Sequence, residues 1–252
     1  MAFSPNQLRY SEDGIPILKA RQIEDIATEV LDKYCPKALR VPVQTPVLEI
    51  IQELGKTTGL QSSILDLGYK NGAKILGLVN FSRKLLSLDN LLAGERKVQM
   101  RFTAAHEIGH WILHRWNYKN WRFAQPRQEQ ETLQDDEETL CRLDERTPQD
   151  WLEWQANVFA ASLVLPRATF LKALVETQLF YGITRNVGKV WISDADYSRR
   201  DFQLVSGSLA NIYGVSLTSI RVRLNTFNLL NDETSHKGRS VSQSLCSNDP
   251  PF

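Results

Sequence analysis

The sequence predicts an α+β protein: helices gathered around a small antiparallel sheet, followed by a helical, helix-turn-helix-like module. Three observations predict this. Apolar residues recur at helical spacing in two separated stretches, Lys19 to Tyr34 and Asp150 to Pro166. Between them lie β-favouring runs at Ile64 to Tyr69, Lys74 to Phe81 and Lys84 to Leu88, divided by the turn signals Asn71-Gly72 and Ser82-Arg83. Near the end, Leu209 to Leu224 carries Ala210, Gly214 and Ile220 where two helices crossing at a tight turn need a small residue, a glycine and an apolar residue.

Taken in order, Ile23, Ile26, Ala27, Val30 and Leu31 form one apolar helix face, and Thr45-Pro46 opens a second helix that ends at Gly55. Both read as scaffold. After the three strand runs comes His106-Glu107-Ile108-Gly109-His110, an H-E-x-x-H inside a stretch that favours helix throughout. On a helix the two histidines stand one turn apart on one face, about 6 Å along the axis, so both rings reach one metal ion. Thr103, His106, Glu107, His110 and His114 share a sector of about 100°, and apolar residues fill most of the remainder. That is the pattern of a buried helix with a polar stripe facing a cleft. The chemistry it suits is that of a zinc hydrolase: two neutral nitrogen ligands, an open coordination position, and Glu107 as general base for water. An edge strand beside such a helix can pair with an extended peptide.

His114 lies about 12 Å of helix rise from His106, too far to join it on an ion with bonds near 2 Å. It reads either as a support to the ligands or as a packed cleft wall. The glycine that turns the chain in H-E-x-x-H-x-x-G-x-x-H proteins is replaced here by Leu113, so a third ligand must come from another element. Glu153 and Asn157 sit i and i+4 on the predicted second metal helix, which Thr147 caps and Pro148 starts. Such a pair can supply a carboxylate ligand and a side chain that holds a histidine ring from behind. The alternative for Glu153 is a solvent-facing acid on an amphipathic helix.

Phe102-Thr-Ala-Ala-His-Glu-Ile-Gly-His-Trp-Ile-Leu-His114, followed by Glu153-x-x-Ala-Asn-x-Phe-Ala-Ala-x-Leu-Val-Leu-Pro166, resembles the ImmA/IrrE family of zinc metallopeptidases. The likeness runs from about Ile15 to Leu230. It implies a zincin-like, gluzincin-type domain with Zn2+ held by His106, His110 and Glu153, and Glu107 as the catalytic carboxylate. It also implies a cytoplasmic protein that cleaves a helix-turn-helix repressor in mobile-element control or stress response. Two departures stand out: position 155 is Gln where such proteins often carry Glu, and the segment from Asn117 to Thr147 is longer than the family needs. His114 and Tyr118 are the candidates for stabilising the oxyanion.

Thirty basic and twenty-nine acidic residues leave almost no global field, so general affinity for nucleic acid or an anionic membrane is not implied. Three dispersed cysteines, a polar N-terminus through Asp13 and no apolar run near eighteen residues predict neither a disulfide framework, a signal peptide nor a membrane span. The expected organisation is a metallopeptidase domain over 1–166 with an acidic insertion at about 117–147, a helical module over 167–231, and a disordered tail over 232–252. From Glu129 to Asp150 there are nine acidic and two basic residues. This segment is either a solvated hairpin or loop, or a lid that attracts a basic substrate. In the helical module, a DNA reader would present Thr218, Arg221 and Asn225 to a groove, while the same geometry also serves ordinary helix packing. The expected function is a zinc endopeptidase acting on one protein, a helix-turn-helix repressor or antitoxin. The alternative is a DNA-binding or partner-sequestering regulator that keeps the peptidase fold.

Overall fold

Apolar periodicity sets the N-terminal scaffold. In the computed structural model, which describes residues 8–70, 72–94, 96–120, 130–131 and 147–234, helix α1 (Ala20–Tyr34) buries the expected stripe from Ile23 to Leu31. Helix α2 (Val47–Thr58) runs a turn beyond Gly55 and ends at Gly59, which takes the left-handed conformation at φ 76°. Gly55 has a different role. A Cβ there would lie 2.6 Å from the Leu60 carbonyl oxygen, so its missing side chain admits the returning backbone. Thr45 does not cap α2; its hydroxyl donates to the Leu163 carbonyl at 2.9 Å and ties the start of α2 to another helix.

The sheet departs from the antiparallel expectation in one strand. β1 (Gln61–Leu65) runs parallel to β5 (Leu85–Asp89), which pairs antiparallel with β4 (Gly77–Asn80). The run expected to continue from Ile64 to Tyr69 is broken by an Asx turn, in which the Gly68 N–H donates to Asp66 and Gly68 adopts φ 76°. The chain then makes a separate hairpin from β2 (Tyr69–Lys70) and β3 (Ala73–Lys74). Buried Asp89 pins this excursion to the end of β5, accepting from the Leu67 and Leu91 N–H groups at 2.8 and 3.0 Å and from Lys74 at 2.9 Å. On the far side of β4, β6 (Gln130–Glu131) pairs with Leu78 and Val79. The strand edge expected to face a substrate is therefore covered over those two residues by the chain itself. The rest of the expected acidic insertion, 121–129 and 132–146, lies outside the described residues.

After Arg96, helix α3 (Lys97–His114) is buried at every position from Thr103 onward. Trp116 lies past the helix end and is half exposed. Helix α4 (Pro148–Val164) begins with the predicted cap: the Asp150 N–H donates to the Thr147 hydroxyl at 3.2 Å, and the Thr147 N–H donates back to Asp150 at 2.7 Å. α4 packs between α3 and α1. Gly109 allows the closest approach, because a Cβ there would sit 3.1 Å from the Ala156 backbone.

Helix α5 (Arg167–Phe180), strand β7 (Val190–Ile192), helices α6 (Asp196–Tyr213) and α7 (Leu217–Thr226), and strand β8 (Leu230–Asp232) complete the chain. α6 and α7 meet at Gly214, in the left-handed conformation, with Ser216 capping α7. β7 and β8 pair in parallel, so Asp232, expected at the head of a disordered tail, is in a strand. Residues 235–252 lie outside the described residues. One buried apolar cluster runs from Ile15 to Phe227, so the segment from 167 shares the core of the preceding segment. Among the described residues no single helix is long and apolar enough to cross a membrane.

Candidate metal centre

Helices α3 and α4 bring three donor atoms to one point. His106 Nε2 lies 2.9 Å from His110 Nε2 and 3.1 Å from Glu153 Oε2, and His110 Nε2 lies 3.5 Å from the same oxygen. Two ligands bound at about 2.0–2.1 Å to one tetrahedral ion would stand roughly 3.3 Å apart. The observed spacing brackets that value, and two imidazoles with a carboxylate are a donor set that suits zinc. Among the described residues, this is the group of His, Cys, Asp and Glu side chains able to hold a metal ion. The histidines are buried, while the Glu153 side chain keeps 25% of its surface exposed, so the group opens to solvent on the α4 side.

Each member is held from behind. Asn157 Oδ1 accepts from His106 Nδ1 at 2.7 Å, which turns Nε2 toward the group, with its lone pair directed there once the ring is neutral. Gln149 donates to Glu153 Oε1 at 2.9 Å and leaves Oε2 facing the histidines. His114 faces His110, with their Nδ1 atoms 3.0 Å apart, and its Nε2 lies 3.2 Å from Gln155 Oε1. Gln155 in turn donates to the Pro16 carbonyl at 2.7 Å.

The electrostatics follow from this packing. Burial disfavours a charged His106, but the Glu153 hydrogen bond and charge, with Glu107 and Asn157, outweigh it and raise its pKa to about 9. Burial would raise Glu153, yet His110 and His106 hold it well below the ordinary carboxylate range. Burial lowers His110, against the pull of Glu153. His114, buried and beside His110, is held well below the ordinary histidine value. The metal-free site therefore stores one proton on His106.

Glu107 is fully buried one position along α3. β4 passes close to it at Gly77, where a Cβ would lie 2.6 Å from Glu107 Oε1 and 2.7 Å from Thr103. The strand is thus set against the carboxylate through a missing side chain. Tyr118 stacks on Phe81 at 5.2 Å with its hydroxyl 3.3 Å from Ser82 Oγ, while His114 is part of the histidine chain. The residues considered for DNA contact lie elsewhere. Thr218 is exposed, Arg221 is ion-paired with Asp232 at 2.7 Å, and Asn225 is half-buried.

Three residues escaped the sequence reading of the site. Gly77 carried a usable signal, since a glycine in a strand marks a close backbone approach. Gly109 sits inside the motif itself, at the helix crossing. Gln155 was visible only as a departure from Glu, because it lies off the Glu153/Asn157 face.

The family model of the IrrE N-terminal-like domain, Peptidase_M78, matches residues 91–225, more than half of the chain and all of α3 through α6. No curated protein matches the chain. With that match spanning both helices of the donor group, the chain belongs to the ImmA/IrrE family of M78 metallopeptidases.

Proposed function

We propose that this protein is a zinc-dependent endopeptidase that cuts one specific cytoplasmic protein, a helix-turn-helix transcriptional repressor or an antitoxin. The convergence of His106, His110 and Glu153 beside a buried Glu107 supports it most directly. His106 and His110 would hold the ion through Nε2 and Glu153 through Oε2, in a gluzincin-type arrangement. Zinc, when bound, supplies a Lewis acid for the scissile carbonyl and a lower pKa for the attacking water. Glu107 takes the proton of that water and passes it to the leaving amine. Gly77 lets β4 lie directly against Glu107, so the strand backs the carboxylate that faces the substrate.

The test uses the full-length, zinc-loaded protein and its Glu107→Gln variant with the helix-turn-helix protein encoded beside it, with products read by intact mass. One defined cut, made only by the Glu107 form, is the expected result. Tight complex formation by both forms without a cut would overturn the peptidase reading in favour of a sequestering regulator.

A further inference from the structure

We infer that Gln155 and His114 are positioning residues that fix the proton of His110 on Nδ1 and so aim its Nε2 lone pair into the donor group. The inference rests on the metal reading of His106, His110 and Glu153. It follows from what each atom in the chain can do. The Pro16 carbonyl only accepts, so Gln155 must turn its amide nitrogen toward it, at 2.7 Å. That leaves Gln155 Oε1, which also only accepts, 3.2 Å from His114 Nε2. His114 Nε2 therefore carries the hydrogen. In a neutral imidazole the other nitrogen then has the lone pair, and His114 Nδ1 presents it to His110 Nδ1 at 3.0 Å. His110 must donate there, and its Nε2 is left as a bare donor atom beside His106 and Glu153.

The two histidines of the motif are thus set by different means. His106 is fixed by one bond to Asn157 on α4. His110 is fixed by three bonds in series that end on a backbone carbonyl of the N-terminal segment, where Pro16 bridges to Tyr10. Every side chain in the series is buried. The series also explains the amide at position 155: a carboxylate would set an acceptor against the Pro16 carbonyl, whereas glutamine offers one donor and one acceptor in the required order.

The test has two arms on the full-length protein. In the first, nitrogen-15 histidine spectra of the zinc-loaded wild type should show His114 as the Nε2–H tautomer and His110 protonated on Nδ1. In the second, chelator competition should show Gln155→Leu binding zinc about 10–100-fold more weakly than wild type, the usual scale for losing a ligand's hydrogen-bond partner, with His114 no longer held in one tautomer. His114 protonated on Nδ1 in wild type, or zinc affinity of Gln155→Leu within about twofold of wild type, would overturn the relay. The wild-type spectra decide even if the variant folds poorly. His106→Ala and Glu153→Ala separate the two levels: unchanged zinc binding in both would sink the metal reading itself, whereas lost binding in both beside an unaffected Gln155→Leu sinks only the relay.

Discussion

The α3–α4 pair and the α6–α7 pair are both two helices meeting through a glycine, yet they use their polar residues in opposite ways. In the first, buried side chains that cost desolvation converge on one point: His106, His110 and Glu153 face each other, and Asn157, Gln149 and His114 hold them from behind. In the second, the buried charged group is Arg223, consumed in holding the fold. It donates to the Leu165 carbonyl at the end of α4 at 2.9 and 3.1 Å and pairs with Glu24 of α1 at 3.2 Å. The polar residues left over, Thr218 and Arg221, are exposed. Buried polar groups that bring three donor atoms to one point form a set able to hold a metal ion. Buried polar groups that end on backbone carbonyls mark a clasp.

The largest expected effect sharpens the first half of this contrast. Replacing Glu107 with Gln keeps the shape of a fully buried side chain and removes its capacity to take a proton. Cleavage should fall by about two to four orders of magnitude, while zinc content, read by metal analysis of the purified variant, stays at the wild-type value. A variant that lost its zinc together with its activity would make Glu107 part of the metal's support.

Removing the clasp comes next. Arg223→Met keeps the apolar stem against Phe227, over which the guanidinium now lies at 4.1 Å, but strips Leu165 and Glu24 of a partner. Unfolding free energy, measured by denaturant titration, should drop by about 2–4 kcal/mol. Zinc affinity of the remaining folded protein should not change. If it did, the two helix pairs would be energetically coupled and the contrast would fail.

What could be read in the sequence divides along the same line. The helix bearing His106 and His110 and the helix bearing Glu153 and Asn157 were legible because α-helical spacing fixes which residues share a face. The Thr147 cap was legible for the same local reason. The parallel placement of β1 beside β5, by contrast, comes with a chain excursion that Asp89 holds through Leu67 and Lys74, and no periodicity reports such long-range hydrogen bonds. The β7–β8 pair is only three residues long in each strand, too short to show alternation, and so Asp232 read as tail. Gln155 needs Pro16 to make sense of it, and those residues are far apart in the chain.

A third expectation concerns the stored proton. His106 has a folded pKa of about 9, above the ordinary histidine value of 6.5, so the stability it contributes without metal is fully present below about 6.5 and is lost as pH rises through about 9. Glu153 is shifted down, so its share is present above its ordinary value of 4.5 and is lost as pH falls. The metal-free pair therefore contributes most between these limits, near pH 4.5 to 6.5. A metal needs the neutral ring and must displace that proton. Apparent zinc affinity should then rise about tenfold per pH unit from pH 7 to about 9, as read by chelator competition across that range. A flat profile would mean that the metal-free site holds no proton and is less sharply distinguished from the clasp than its geometry indicates.

The smallest expected effect tests the other half. Arg221 pairs with Asp232 at 2.7 Å, but the Arg221 side chain is half exposed and that of Asp232 keeps 30% of its surface in solvent, and such pairs contribute roughly 0–1 kcal/mol. With Thr218 also in solvent, the double variant Thr218→Ala/Arg221→Ala should change unfolding free energy by under about 1 kcal/mol and leave cleavage within about twofold of wild type. This near-silence is informative because α7 is anchored by its buried face, through Ile220, Arg223 and Leu224, which the substitutions do not touch. Any large effect must then come from a partner and not from the fold. A tenfold loss of cutting at unchanged zinc affinity would make α7 a docking face for the substrate. Loss of a salt-sensitive duplex shift in the same variant would make it a nucleic-acid surface. Either result would show that exposed polar residues on a packed helix can carry a function which burial and convergence, the marks of the α3–α4 site, do not reveal.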